Sequence, residues 1–200
     1  MKKLVYGVGV SEAGMFARSF RVNGKKVRTK EYQLWHNMLK RCYSEGHQQY
    51  RQTYTGCSVS EGFKNFQHFA EWCQTQIGFG LDGYHLDKDI LQRGNKVYSE
   101  DTCVFVLHNI NSLLIKRDAL RGNYPIGVSW KHSKQKYRAQ CNDGTGNQVH
   151  LGLFTTPEAA FEAYKPFKEA LIKRIATEYK DILDPRVYTA LMAYEVSIDD

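Results

Sequence analysis

Residues 85–111, HLDKDILQRGNKVYSEDTCVFVLHNIN, gather a histidine and two carboxylates in one short run: His85, Asp87 and Asp89. Read as a strand, this run puts Asp87 and Asp89 on one face, because successive side chains alternate. Hard oxygen donors at that spacing suit Mg²⁺ or another divalent metal. Gly94-Asn95 then marks a loop, Cys103–Val106 reads as a strand, and the first turn of a following helix holds His108, Asn109 and Asn111. The same residues admit a plainer reading. Asp87 and Asp89 flank Lys88 and can pair with it, or with Arg93 and Lys96. Asn95 follows a glycine and suits a turn, and His85 suits an ordinary surface position.

A second set of polar residues lies further along. In KYRAQC, Arg138 and Gln140 alternate with Tyr137, Ala139 and Cys141; in QVHLGLF, Gln148 and His150 alternate with Val149 and Leu151. In IGVSWK, Ser129 and Lys131 share a face if Val128 and Trp130 point inward. Three such strands make a sheet with one apolar face and one face of Lys, Arg, Gln and His. Lys134 and Lys136, in and just after the first connection, extend the basic set. Such donors suit phosphates and base edges in a major groove, which admits a small β-sheet.

These residues need elements to hold them. Val22-Asn23-Gly24-Lys25 predicts a hairpin, since Asn-Gly favours positive φ at both turn positions. EYQLWHNMLKRCY predicts a helix over about 30–43, with Leu34, Trp35, Met38, Leu39 and Cys42 at three- and four-residue spacing. GFKNFQHFAEWCQTQIG predicts a second helix over about 63–77, with Phe63, Phe66, Ala70, Cys73 and Ile77 in one stripe. Residues 125–154 predict a three-stranded antiparallel sheet, its last two strands joined by Asp143–Asn147. A helix follows, with Thr156 as cap and Pro157 at its first position. Pro166 is expected to kink or split it. A last helix starts at Asp184-Pro185. Its Tyr188, Leu191, Met192 and Tyr194 either close the core or dock a protein partner.

The fold class is therefore α+β, in three parts: 1–120, 121–183 and 184–200, with the first boundary in the connection ALRGNY, 119–124. The chain has 200 residues and a formal charge of +7. The three parts hold 17, 10 and 1 Lys and Arg against 11, 6 and 4 Asp and Glu, so the basic excess sits in the first two. That excess favours a polyanion partner. No run of about 18 apolar residues indicates a membrane span. The glycine-studded N-terminus reads poorly as a signal peptide. An intracellular chain is expected, its five scattered cysteines serving as buried thiols rather than a zinc site.

YPIGVSWKHSKQKYRAQCNDGTGNQVHLGLFTTPEAAFEAY resembles the DNA-binding domain of plant ethylene-response factors (ERF-type) and its phage and homing-endonuclease relatives. The resemblance rests on Gly127-Val128, Tyr137-Arg138-Ala139, Leu151-Gly152 before Phe154, and Thr156-Pro157-Glu158-Ala159-Ala160 with Tyr164 behind. It implies a sheet lying in the major groove of double-stranded DNA, with Ser129, Lys131, Arg138, Gln140 and His150 at contact positions. Ser, Lys, Gln and His replace several arginines and tryptophans of the plant domains, so sequence specificity does not carry over.

LWHNMLKRCY, Tyr54-x-Gly56-x-Ser58-Val59, FKNFQHFAEW, LDKDIL, GNKVYS and TCVFV, in that order, resemble phage-encoded HNH-like nucleases. That resemblance implies an N-terminal ββα site around one divalent metal. His85 would activate water, Asn95 would fix the loop, and Asp87, Asp89 and Asn111 would hold Mg²⁺. It also implies phage origin and the cytoplasm of a bacterial host. The position before the histidine, which usually carries a metal-binding Asp or His, is Tyr84. Two functions follow: a metal-dependent endonuclease or nickase, or a DNA-binding protein without catalysis that regulates a gene or blocks a host DNA-processing or defence system. An RNA-binding factor ranks lower, because the sheet lacks the aromatic surface pairs of single-stranded RNA readers.

Overall fold

The computed structural model describes residues 4–114 and 123–200. The chain forms two compact units, Met1–Leu107 and His108–Asp200. Most of the connection expected at 119–124 lies outside the described residues.

In the first unit, β1 (Ser19–Val22) and β2 (Lys25–Arg28) form an antiparallel ribbon whose turn residues Asn23 and Gly24 both have positive φ. Helix α1 (Lys30–Tyr43) spans the expected range. Thr29 Oγ1 accepts from the Tyr32 amide at its start, and Lys40 and Arg41 oppose the partial negative charge at its end. Trp35, Met38, Leu39 and Cys42 are buried, as their spacing demands. Ser44 closes α1 and caps α2 (Glu45–Tyr50).

The second expected helix is instead two, α3 (Glu61–Lys64) and α4 (Phe66–Gln74). Asn65 separates them. Its side chain accepts from the amides of Gln67 and His68, while the chain around it pairs with Val10 through Val10 N to Lys64 O and Phe66 N to Val10 O. A remote segment thus takes backbone groups that a continuous helix would use. Ile77 falls beyond α4 and is exposed. Phe63, Phe66, Phe69, Ala70 and Cys73 enter the core with Tyr98 and Phe105, and Trp35 Nε1 donates to Phe63 O at 2.7 Å. Each such aromatic side chain contributes roughly 1.5–3 kcal/mol by leaving water.

Strand β3 (Ser58–Val59) pairs in parallel with β5 (Val97–Tyr98), and β4 (Tyr84–Asp87) pairs antiparallel with β6 (Val104–Leu107). Leu86 lies opposite Phe105, which meets Trp72 and Phe79.

In the second unit, α5 (His108–Leu113) continues the chain from β6, and Asn109 Nδ2 donates to Tyr179 Oη at 2.9 Å. The expected sheet is present, with β7 (Val128–Lys131), β8 (Lys136–Asn142) and β9 (Gln148–Phe154) antiparallel in that order. It packs on α6 (Pro157–Glu178), whose Ala160, Phe161, Tyr164, Leu171, Ile172, Ile175 and Ala176 are buried. Thr156 and Pro157 occupy the expected cap and first position. Helix α6 is not split at Pro166. Apolar residues on both sides of the proline are buried, and that burial outweighs the roughly 3 kcal/mol the proline costs. Helix α7 (Pro185–Met192), capped by Asp184, belongs to this unit and closes its core with Val187 and Leu191.

All five cysteines are buried free thiols, and burial pushes Cys42 and Cys103 up to about 12. Among the described residues, no helix is long and apolar enough to cross a membrane.

Candidate nucleic-acid interface

The outer face of the sheet is built by cross-strand pairing. Ser129 lies opposite Arg138, Lys131 opposite Lys136, and Gln140 opposite His150. These strands contain no Asp or Glu. Lys131, Lys134, Arg138, Gln140, Gln148, His150 and Leu153 line one concavity of about 380 Å³. Lys136 is exposed beside it. All eight polar residues singled out in the sequence, Gln148 included, thus share this face or its connecting turn.

Arg138 is held in place. Its Nε and Nη2 donate to Ser129 Oγ at 3.3 and 3.2 Å. That contact uses the side edge of the guanidinium and leaves the Nη1/Nη2 fork for a bidentate acceptor, such as phosphate or the O6/N7 edge of guanine. Lys131 and Lys136 face each other as like charges. Such pairs destabilise a sheet by a few tenths of a kcal/mol, roughly, and an anion between them relieves this. The apolar face lies behind, with Val128, Ala139 and Cys141 buried and the Trp130 and Tyr137 rings in edge contact at 4.7 Å.

Strict alternation misses Leu153. It predicts Leu153 inward beside Val149 and Leu151. The register shifts between Ala139 and Gln140, so that Leu153 lies opposite Arg138 on the polar face. The signal was Gly152, an isolated glycine inside a strand. Its φ of +141° and the closeness of the Phe154 ring leave little room for a side chain there. Gly127 does the same work at the start of β7: its φ is +77° and the Tyr164 ring lies directly over it.

The other candidate residues are placed differently. His85 is exposed on β4. Strand β4 ends at Asp87, so Asp87 and Asp89 do not share a strand face, contrary to expectation. Asp87 is buried, and its Oδ1 accepts from the amides of Asp89 and Ile90 at 2.9 and 2.8 Å, which turns the chain. Burial first, then the charge of Asp89, raises the Asp87 carboxyl above its ordinary range. The buried Lys88 ammonium donates to Asp89 Oδ2 at 3.1 Å and to Asn95 O at 2.7 Å. Asn95 fixes the loop: its Nδ2 donates to the carbonyls of Lys88 and Val97, and its Oδ1 accepts from Val97 N. Asn111 belongs to the second unit. The Asp87 and Asp89 carboxyls lie within hydrogen-bonding reach of each other, with Asp87 Oδ1 taken by two backbone amides and Asp89 Oδ2 by Lys88. No group of three His, Cys, Asp or Glu able to hold a metal occurs among the described residues.

Comparison with protein-family models, with curated proteins and with solved structures returns no significant match.

Proposed function

We propose that this chain binds double-stranded DNA through the outer face of the β7–β9 sheet, without catalysing its cleavage. The observation that carries this reading is the acid-free polar face. There Arg138 is oriented by Ser129, and Lys131, Lys134, Gln140, Gln148 and His150 surround the same concavity. The ERF-type resemblance, with its strand order and its Thr156-Pro157 helix start, supports the same ligand. A regulator, or an inhibitor of a host DNA-processing or defence system, would need nothing more. Fluorescence anisotropy with a fluorescent duplex of about 30 base pairs tests it. Binding that weakens steeply with salt is expected, as counterions released from phosphates dominate such affinities.

A second reading, an HNH-type nuclease, draws on the chain order β4, loop, β6, α5 and on His85 exposed at the first strand. Tyr84, at the position before the histidine where such sites carry a metal ligand, favours the binding-only reading. Supercoiled plasmid incubated with the protein and Mg²⁺ or Mn²⁺ separates the two. It is expected to stay supercoiled. Nicking that EDTA stops and Asp89→Ala abolishes would replace the binding-only reading with the nuclease.

A further inference from the structure

The β1–β2 ribbon in the first unit has no part in the sheet's chemistry. Seven of its eight strand residues are exposed, only Ser19 being partly covered. Residues 13–30 contain six Lys and Arg and no Asp or Glu. Register sorts the ribbon into two faces. Ser19 with Arg28 and Arg21 with Lys26 form one; Phe20 with Val27 and Val22 with Lys25 form the other. Three of the four residues on the first face are cationic, and Arg21 sits directly opposite Lys26. Among the described residues, no carboxylate pairs with Arg21, Lys25, Lys26 or Arg28.

The cations are positioned rather than loose. Arg21 Nη1 donates to Gly24 O at 3.0 Å, across the turn. The Arg28 guanidinium lies 5.7 Å from the Tyr32 ring centre on α1. At the base, Thr29 donates to Ala17 O at 2.8 Å through Oγ1 and to Arg18 O at 3.1 Å through its amide. Two-stranded ribbons are marginal on their own, and this one keeps its apolar residues in solvent, Phe20 being 52% exposed. Lysines that guard a sheet edge against self-pairing account for Lys25 or Lys26. They do not account for an acid-free segment or for two cations facing each other.

We propose that the β1–β2 ribbon is a second contact for duplex DNA, in which Arg21, Lys26 and Arg28 meet phosphates. A ribbon of this width enters a major groove. The identity of the ligand rests on the duplex reading of the sheet; the site is separate from it.

The test compares the full-length chain with an Arg21→Ala/Lys26→Ala/Arg28→Ala variant on the same duplex across a salt series. At about 0.9 per phosphate, the slope of log affinity against log salt should become shallower by roughly 2–3, with affinity down tenfold or more near 0.1 M salt. An Arg21→Lys/Arg28→Lys variant keeps the charge and should keep the slope. Circular dichroism checks folding; should the triple variant not fold, Lys26→Gln alone should change the slope by about 0.9. An unaltered slope in the variants that remove charge, alongside weakened binding by Arg138→Ala, would overturn the ribbon site and leave the sheet's role standing. Failure of the unaltered chain to bind duplex at all would remove both. Loss confined to an RNA probe would also overturn the proposal.

Discussion

Arg138→Ala is the most informative single change in the sheet. Ser129 Oγ takes the side edge of the guanidinium at 3.2 and 3.3 Å, so the fork is presented already ordered. A forked contact to guanine or phosphate accounts for about 1–3 kcal/mol, or roughly 5- to 150-fold in affinity. If the contact is to phosphate, the salt slope also falls by about 0.9. Arg138→Lys separates the two components, because it keeps the charge and loses the fork. It should retain the slope and recover only part of the affinity. Ser129→Ala leaves the arginine but frees it. Ordering a side chain of this kind costs about 0.5–1.5 kcal/mol on binding, so a loss of roughly 2- to 10-fold is expected. Anisotropy on one duplex at several salt concentrations reads all three variants. Equal affinity and slope for Arg138→Ala and the unaltered chain, both folded, would refute the assignment of this face.

Three further predictions concern stability. Asp87→Ala removes the acceptor of two partly buried amides and should cost about 1–2 kcal/mol of stability. Asp87→Asn keeps an acceptor and sheds the buried charge. The raised carboxyl means that the folded chain holds this proton more tightly than the unfolded chain. Its contribution is complete below the unfolded pKa and is lost as pH rises through the folded one. Thermal melts from pH 4 to 8 should therefore show the unaltered chain falling behind Asp87→Asn as pH rises; a constant gap would contradict this. Gly127→Ala combines a positive φ with a collision against the Tyr164 ring. A loss of about 2–4 kcal/mol is expected, lowering the melting temperature of the second unit by roughly 10–25 °C.

Much of this fold is legible in local sequence, because its signals act over a turn or less. The Asn23-Gly24 turn, the limits of α1, the three strands of the sheet and the Thr156-Pro157 start of α6 follow from dihedral preference, apolar period and capping. The polar face of the sheet follows from alternation and carries Arg138, Gln140 and His150 together. What only the tertiary structure decided depends on partners far along the chain. Asn65 ends a helix because Val10 claims its backbone neighbours. Pro166 is tolerated because α6 is buried on both sides of it. Leu153 joins Arg138 because the register shifts by one residue within the sheet. The Asp87 carboxylate closes a turn through one oxygen, because the local backbone there presents the amides of Asp89 and Ile90 to it.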